Sequence, residues 1–222
     1  MLAIFLPILS VIIGFSIATY TQRSTRSIQL LLSYSGALLL SVTIFEFIPE
    51  VYRNYTPLTG ILIMTGVLLQ VILEFMSKGA EHGHLHHDEN LKRFPFLIFI
   101  SLCIHSLMEG FPIAQNLHLL LGVVIHKIPV AVIISTFLIR AELPKRNLIF
   151  FMAIFALMTP LGAVLSDYFM KWPEVEHDIN AVVIGIFLHV STTILFESSK
   201  NHQFNGSKIL LIILGVATAY FI

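Results

Sequence analysis

The chain has 222 residues, of which 56% are hydrophobic and only 12% charged, and its 13 basic and 13 acidic residues balance to a formal net charge of zero. This composition excludes an ordinary water-soluble domain, and the absence of net charge excludes an overall field that would attract nucleic acid. The single cysteine, Cys103, excludes a disulfide framework and any metal site built from cysteine pairs. We therefore expect an all-α, polytopic membrane protein with no nucleic-acid partner.

Apolar runs of membrane-spanning length follow one another along the whole chain. A transmembrane helix needs about 20 mostly apolar residues. Polar and turn residues divide residues 1–222 into eight such spans, which we number one to eight and assign to a single integral membrane domain. In chain order they are Leu2–Tyr20, Ser27–Ile48, Pro57–Met76, Phe94–Gln115, Leu117–Leu138, Asn147–Tyr168, Asp178–Ser198 and Ser207–Ile222. Because no basic stretch precedes the first span, we do not expect it to be a cleaved signal peptide.

Basic residues are distributed unequally between the two sets of loops. The loops after spans one, three, five and seven contain Arg23, Arg26, Lys78, Lys92, Arg93, Arg140, Lys145, Arg146, Lys200 and Lys208. The other loops contain only Arg53 and Lys171. Since cytoplasmic loops retain Lys and Arg, we expect both termini outside a multi-pass cell-membrane protein.

A histidine-rich loop, residues 78–92, follows span three on the predicted cytoplasmic side. It contains four histidines flanked by acidic residues: His82, His84, His86 and His87. Imidazoles and carboxylates in such a loop chelate zinc and similar metals without a fixed geometry. The loop is thus either an accessory metal-binding segment or a solvated polar loop, and by itself it is weak evidence for transport.

The strongest chemical signal comes from ionisable residues within spans four and five. Each such residue costs about 2.5–3.5 kcal/mol at the centre of a span, so it requires a function or a partner. His105 and Glu109 are four residues apart on one face of span four, and span five contains His126 and Lys127. The connection at residues 115–118 is so short that the two spans must be antiparallel neighbours. We therefore predict that His105, Glu109 and His126 bind one divalent ion such as zinc, iron, manganese or cobalt.

These residues lie in motifs that resemble the ZIP (Zrt/Irt-like) family of metal transporters. His105–Gly110 reads HSLMEG, similar to the span-four signature His-Asn/Ser-x-x-Glu-Gly, and His126–Val130 reads HKIPV, similar to the span-five motif. Phe45–Glu50 looks like the family's His-Leu-Leu-Pro-Glu ending of span two, with Glu46 where histidine is usual. Two further stretches are also similar, Thr159–Gly162 in span six and Phe187–Val190 in span seven.

The resemblance implies a ZIP-like helical bundle that transports a divalent transition metal across the plasma membrane towards the cytoplasm. Zinc is the expected substrate, with iron, manganese or another divalent ion as the alternative, and no prosthetic cofactor is expected. The implied partners are metal ions and the lipid bilayer, with a homodimer as one option. The resemblance also implies that the spans with the metal site move against a scaffold. It adds Glu46 to the candidate ligands, and His189 in span seven either lines the pathway or satisfies an interhelical hydrogen bond.

Spans four and five depart from the family's pattern for a two-metal centre. Lys127 and Val130 stand where relatives with two metals have acids, and Ser106 stands where asparagine is usual. An ammonium about 4 Å from a second cation would repel it by roughly 4 kcal/mol at an effective dielectric of 20. We therefore expect a single-metal centre tuned by Lys127 and Ser106. The alternative role for Lys127 is an ion pair with Glu46 or Glu109 that locks the helices together.

Two other functional classes use similar residues. A metal-dependent integral membrane hydrolase would also need His and acid ligands, together with an additional general base. A haem-binding electron carrier could use His105 and His126 as axial ligands. We favour transport and do not expect an enzyme.

Overall fold

The computed structural model describes residues 1–20, 25–77, 96–169, 171–197 and 206–222. Within these ranges the chain is helical apart from short connections, and there is no strand. The predicted histidine-rich loop, with His82, His84, His86 and His87, lies outside the described residues.

The helices follow the predicted order of the spans. They are Leu2–Tyr20, Thr25–Val42 continued by a π-helical turn Thr43–Phe47 and by Ile48–Tyr52, Pro57–Ser77, Phe96–Ile113, Leu117–Arg140, Lys145–Phe169, Pro173–Glu197 and Gly206–Phe221. Among the described residues, seven helical stretches are long and apolar enough to cross a membrane, and span eight is a shorter apolar helix of 16 residues. The prediction of an all-α, polytopic membrane protein with eight helices is therefore confirmed.

Two boundaries differ from the predicted ones by more than two residues, and for identifiable reasons. Span two continues past the predicted end at Ile48 to Tyr52, because the π-helical turn, separated from Pro49 by one residue, widens the helix where the proline ring would otherwise clash. Span seven begins at Pro173 instead of Asp178. Proline suits the first position of a helix, and acidic residues in the first turn interact favourably with the helix dipole.

The spans pack most extensively in four pairs, which are one with five, two with eight, three with seven and four with six. Glycines allow close approach in every pair, because a Cβ added at any of them would meet the partner helix. They are Gly14, Gly215, Gly66, Gly185, Gly110 and Gly162. Small residues at helix contacts are the usual means of tight association in membranes, where apolar burial favours no particular partner.

These pairs combine into two groups of four helices. Contacts of span one with span six join spans one, four, five and six into what we call the site bundle. Contacts of span two with span seven join spans two, three, seven and eight into the supporting bundle. The two bundles meet chiefly where span two lies against span five and span three lies against span four. Both histidine-bearing spans predicted to bind metal, four and five, belong to the site bundle.

Candidate metal centre

Three side chains from spans four and five converge in the buried interior. His105, Glu109 and His126 are each only 1% exposed. One oxygen of Glu109, Oε1, lies 2.9 Å from Nε2 of His105 and 3.9 Å from Nε2 of His126. Each residue offers one ligand atom, and these atoms lie within 4.8 Å of one another. Bonds of about 2.0–2.1 Å to a tetrahedral zinc ion place its ligand atoms roughly 3.3 Å apart, so small side-chain adjustments suffice to coordinate one ion.

Local sequence explains why these three side chains meet. His105 and Glu109 are one helical turn apart in span four, and they therefore project from the same face. Asn116 ends the short connection, where its side chain accepts a hydrogen bond from the backbone N–H of Leu119 at 3.0 Å and caps the start of span five. Span five then runs back along span four and brings His126 to the Glu109 carboxylate.

Lys127 occupies the other side of Glu109. Its ammonium Nζ donates hydrogen bonds to Oε2 of Glu109 at 3.1 Å and to the hydroxyl of Ser106 at 2.7 Å. The ammonium also lies 4.9 Å from the centre of the Phe155 ring, an additional favourable contact for a buried cation. The structure thus pairs Lys127 with Glu109 and not with Glu46. The two carboxylate oxygens have different roles, since Oε1 faces the histidines and Oε2 faces the ammonium.

The second nitrogen of each histidine contacts the supporting bundle. Nδ1 of His105 is 3.3 Å from Oε1 of Gln70 in span three, and Nδ1 of His126 is 3.5 Å from the hydroxyl of Ser35 in span two. Metal-binding histidines commonly use the second ring nitrogen in this way, which fixes the orientation of the ring. Sequence reasoning did not identify Gln70 or Ser35. The signal that could have found them is a polar residue within an apolar span.

Glu46 lies away from this cluster. It is in the π-helical turn of span two, where its Oε1 is 3.5 Å from Nδ1 of His118, and these two side chains are 44% and 36% exposed. His118 precedes His126 by eight residues, or about 12 Å along span five. Leu39 of span two is buried and lies against Gly122 within that interval. The structure therefore places Glu46 beside His118, close to the first residue of span five and away from the central cluster.

His189 also lies outside the cluster. Its Nε2 is 3.4 Å from Oε2 of Glu74 in span three, and its Nδ1 is 3.4 Å from the hydroxyl of Thr193. The structure thus brings together His105, Glu109 and His126 of the predicted ligands, with Lys127 and Ser106 beside them, and places Glu46 and His189 in two separate polar pairs.

A protein-family model and three curated proteins each match more than half of this chain. The family model described as ZIP Zinc transporter matches residues 77–222. "Zinc transporter ZIP1" of Danio rerio is 25% identical over 148 residues, which is 61% of this chain and 49% of the relative. "Zinc transporter ZIP1" of Takifugu rubripes is 21% identical over 152 residues, again 61% of this chain and 49% of the relative. "Protein zntD" of Dictyostelium discoideum is 28% identical over 162 residues, which is 62% of this chain and 24% of the relative. The chain thus spans about half the length of the two fish relatives.

Proposed function

The chain belongs to the ZIP zinc transporter family, and from that premise we propose that it transports a divalent transition metal ion, zinc above all, across the cell membrane towards the cytoplasm. The observation that carries the proposal is the buried cluster of His105, Glu109 and His126 within a bundle of apolar helices. Ionisable groups at this depth are costly unless they serve a function or have partners.

The donor atoms of the cluster suit a transported ion. Two imidazole nitrogens and a carboxylate oxygen favour zinc, iron, manganese or cobalt over Cu(I), for which thiolate and thioether ligands are better. Three protein ligands leave a coordination position for water, as in zinc sites that exchange ligands, whereas structural sites are closed by four protein ligands. In this proposal the ion is the substrate, and its ligands must bind it selectively yet allow its release.

The two-bundle arrangement supports an alternating-access or elevator-like mechanism. All three ligands belong to the site bundle, so they can move together without separating from one another. The cluster is buried in this structure, and an ion can therefore reach it only after movement. Close glycine contacts hold the helices within the four pairs, whereas the long hydrogen bonds from His105 and His126 to Gln70 and Ser35 cross between the bundles. We propose that the site bundle slides along this boundary.

The alternative of a membrane hydrolase receives less support. Family members are described as zinc transporters. Within the described part of the chain, the Glu109 carboxylate contacts Lys127 and both histidines, and the cluster contains no second carboxylate to act as a general base. A haem would have to displace this carboxylate from between the imidazole nitrogens.

Zinc uptake by purified protein in proteoliposomes tests the proposed function. We expect uptake to saturate with zinc concentration and to exceed that of empty liposomes. Iron, manganese and cobalt should be compared as competitors, because all three suit the same ligands. Absence of zinc uptake under an imposed gradient, with correctly inserted protein, would contradict the proposal.

Replacing Lys127 with glutamate is expected to raise the number of zinc ions bound at the centre from one towards two, with the second ion held weakly because Val130 offers no ligand. The substitution removes the ammonium that holds Oε2 of Glu109 and introduces a second carboxylate, which a second divalent ion would neutralise. Calorimetry or elemental analysis of purified protein, with the four histidines of loop 78–92 changed to serine, measures the stoichiometry. Two tightly bound ions already present in the unaltered centre would contradict the single-metal assignment.

Replacing His82, His84, His86 and His87 with serine is expected to change the apparent affinity or regulation of uptake only modestly. We propose that the histidine-rich loop gathers or senses metal on the cytoplasmic side, separately from the central cluster. Uptake rates over a range of zinc concentrations measure the effect. Complete loss of uptake at normal expression would instead place the loop in the pathway.

A further inference from the structure

One face of span three connects the metal centre to a second polar pair. Gln70 and Glu74 are four residues apart and therefore lie one helical turn from each other on that face. Gln70 contacts Nδ1 of His105 at the centre, and Glu74 contacts Nε2 of His189 in span seven. The two acceptors on span three are separated by about 6 Å along the helix axis.

The Glu74–His189 pair offers the same kinds of ligand atom as the centre, an imidazole nitrogen and a carboxylate oxygen, and its side chains are more exposed. An oxygen of Glu74 lies 3.4 Å from Nε2 of His189, and the two side chains are 19% and 16% exposed. The hydroxyl of Thr193 lies 3.4 Å from the other ring nitrogen of His189 and also donates to the His189 carbonyl, which holds the imidazole against span seven. By contrast, His105, Glu109 and His126 are each 1% exposed.

We propose that Glu74 and His189 form a second binding station for a divalent transition metal ion, which accepts the ion from the central cluster before release. The inference rests on the proposed transport function. One imidazole nitrogen and one carboxylate oxygen favour the same ions as the central cluster. Within the described part of the chain the pair supplies two ligands where the centre supplies three, so the station binds its ion more weakly than the centre and exchanges it faster.

The position of the Glu74–His189 pair suits a site that receives the metal ion from the central cluster. Both residues belong to the supporting bundle, so the station stays in place while the site bundle carries its ligands. Glu74 lies near the end of span three, which ends at Ser77 and is followed in the sequence by the predicted cytoplasmic loop. Movement of the site bundle towards that side would bring the central ligands from the level of Gln70 towards Glu74.

A purely structural role is the main competing explanation, since an ion pair could simply fasten span three to span seven. These two spans are already in close contact at Gly66 and Gly185, where an added Cβ on either would meet the partner's backbone. Glu74→Gln and His189→Gln distinguish the two roles. Each amide reaches the position of the group that it replaces and can still form a hydrogen bond across the pair, but neither variant keeps both metal ligands.

Equilibrium binding of radioactive zinc tests the station directly. The protein is the full chain in detergent, carrying His105→Ala, Glu109→Gln, His126→Ala and Lys127→Met, which remove all three central ligands and the buried ammonium, with serine at His82, His84, His86 and His87. We expect one weakly bound zinc ion per chain, whose affinity falls at least roughly tenfold when Glu74→Gln or His189→Gln is added. No residual binding, or residual binding that neither substitution alters, would overturn the proposal.

Uptake kinetics separate this proposal from the transport function on which it rests. With the centre intact, Glu74→Gln should lower the maximal rate several-fold and leave KM for external zinc within about twofold, because capture precedes the station. Normal uptake in both variants would overturn the station and leave the transport function standing. Zinc binding at Glu74 and His189 in a protein without any uptake would support the station and contradict the transport function.

Discussion

Replacing Glu109 with alanine is expected to reduce saturable zinc uptake to the level of empty proteoliposomes. Glu109 supplies the oxygen that both histidines share, at 2.9 and 3.9 Å, so its loss leaves two imidazoles without the only anionic ligand of the cluster. Alanine at His105 or His126 should have the same effect, since a two-ligand site binds zinc weakly. Uptake of radioactive zinc, normalised to the amount of inserted protein, measures the loss.

Folding must be controlled in this experiment because Glu109 also neutralises a buried cation. Removing one partner of a buried ion pair costs about 3–5 kcal/mol, and the Lys127 ammonium would remain in an apolar environment. A double variant, Glu109→Gln with Lys127→Met, removes both charges and should insert normally while still lacking uptake. The exposed Glu174 provides a matched control, and Glu174→Ala should transport as the unaltered protein does. Full uptake by the Glu109→Ala protein would contradict the assignment of the site.

Replacing Gly66 with alanine is expected to lower the yield and thermal stability of the folded protein markedly. The new Cβ would meet the backbone of span seven at Val182, so the two helices would have to separate. Introducing atoms into a packed interior typically costs about 1–3 kcal/mol of folding stability. A backbone neighbour, unlike a side chain, cannot relieve the clash by adopting another rotamer. The fraction of monodisperse protein after extraction in detergent and the midpoint of its thermal unfolding measure the effect.

Gly60→Ala is the matched control, because Gly60 lies in the same span and a Cβ there meets nothing within 4 Å. Alanine is favoured over glycine in a helix by up to about 1 kcal/mol, so Gly60→Ala should leave stability unchanged or slightly raised. Equal stability of the Gly66→Ala and Gly60→Ala proteins would show that spans three and seven are not packed as the structure describes.

Sequence alone was sufficient for the helices and for the central cluster. Apolar runs of membrane length predict the spans because lipid requires every backbone polar group to be satisfied within a helix. His105 and Glu109 could be placed on one face by their spacing, and the short connection to span five required His126 to approach them. Both inferences depend on geometry within one helix or across one short connection, which the spacing of residues in the sequence determines.

Features that depend on contacts between distant spans could not be predicted in the same way. Gln70, Ser35 and Glu74 are polar residues in largely apolar helices, and each acquires a role only from a histidine on another span. The two bundles likewise depend on which glycines face each other, which no periodicity within one helix reveals. A proline such as Pro49 does not by itself predict the π-helical turn before it, which contains Glu46. The pairing of Glu46 with His118 depends on how span two packs against span five.

Anomalous X-ray scattering from crystals of the zinc-loaded protein tests directly whether one ion binds at His105, Glu109 and His126. We expect one strong zinc peak within bonding distance of Nε2 of both histidines and of Oε1 of Glu109, with Lys127 still bound to Oε2. That peak should disappear in the Glu109→Ala protein. A protein that transports zinc and shows ordered zinc within the membrane at other residues, with none at this cluster, would contradict the assignment of these three ligands.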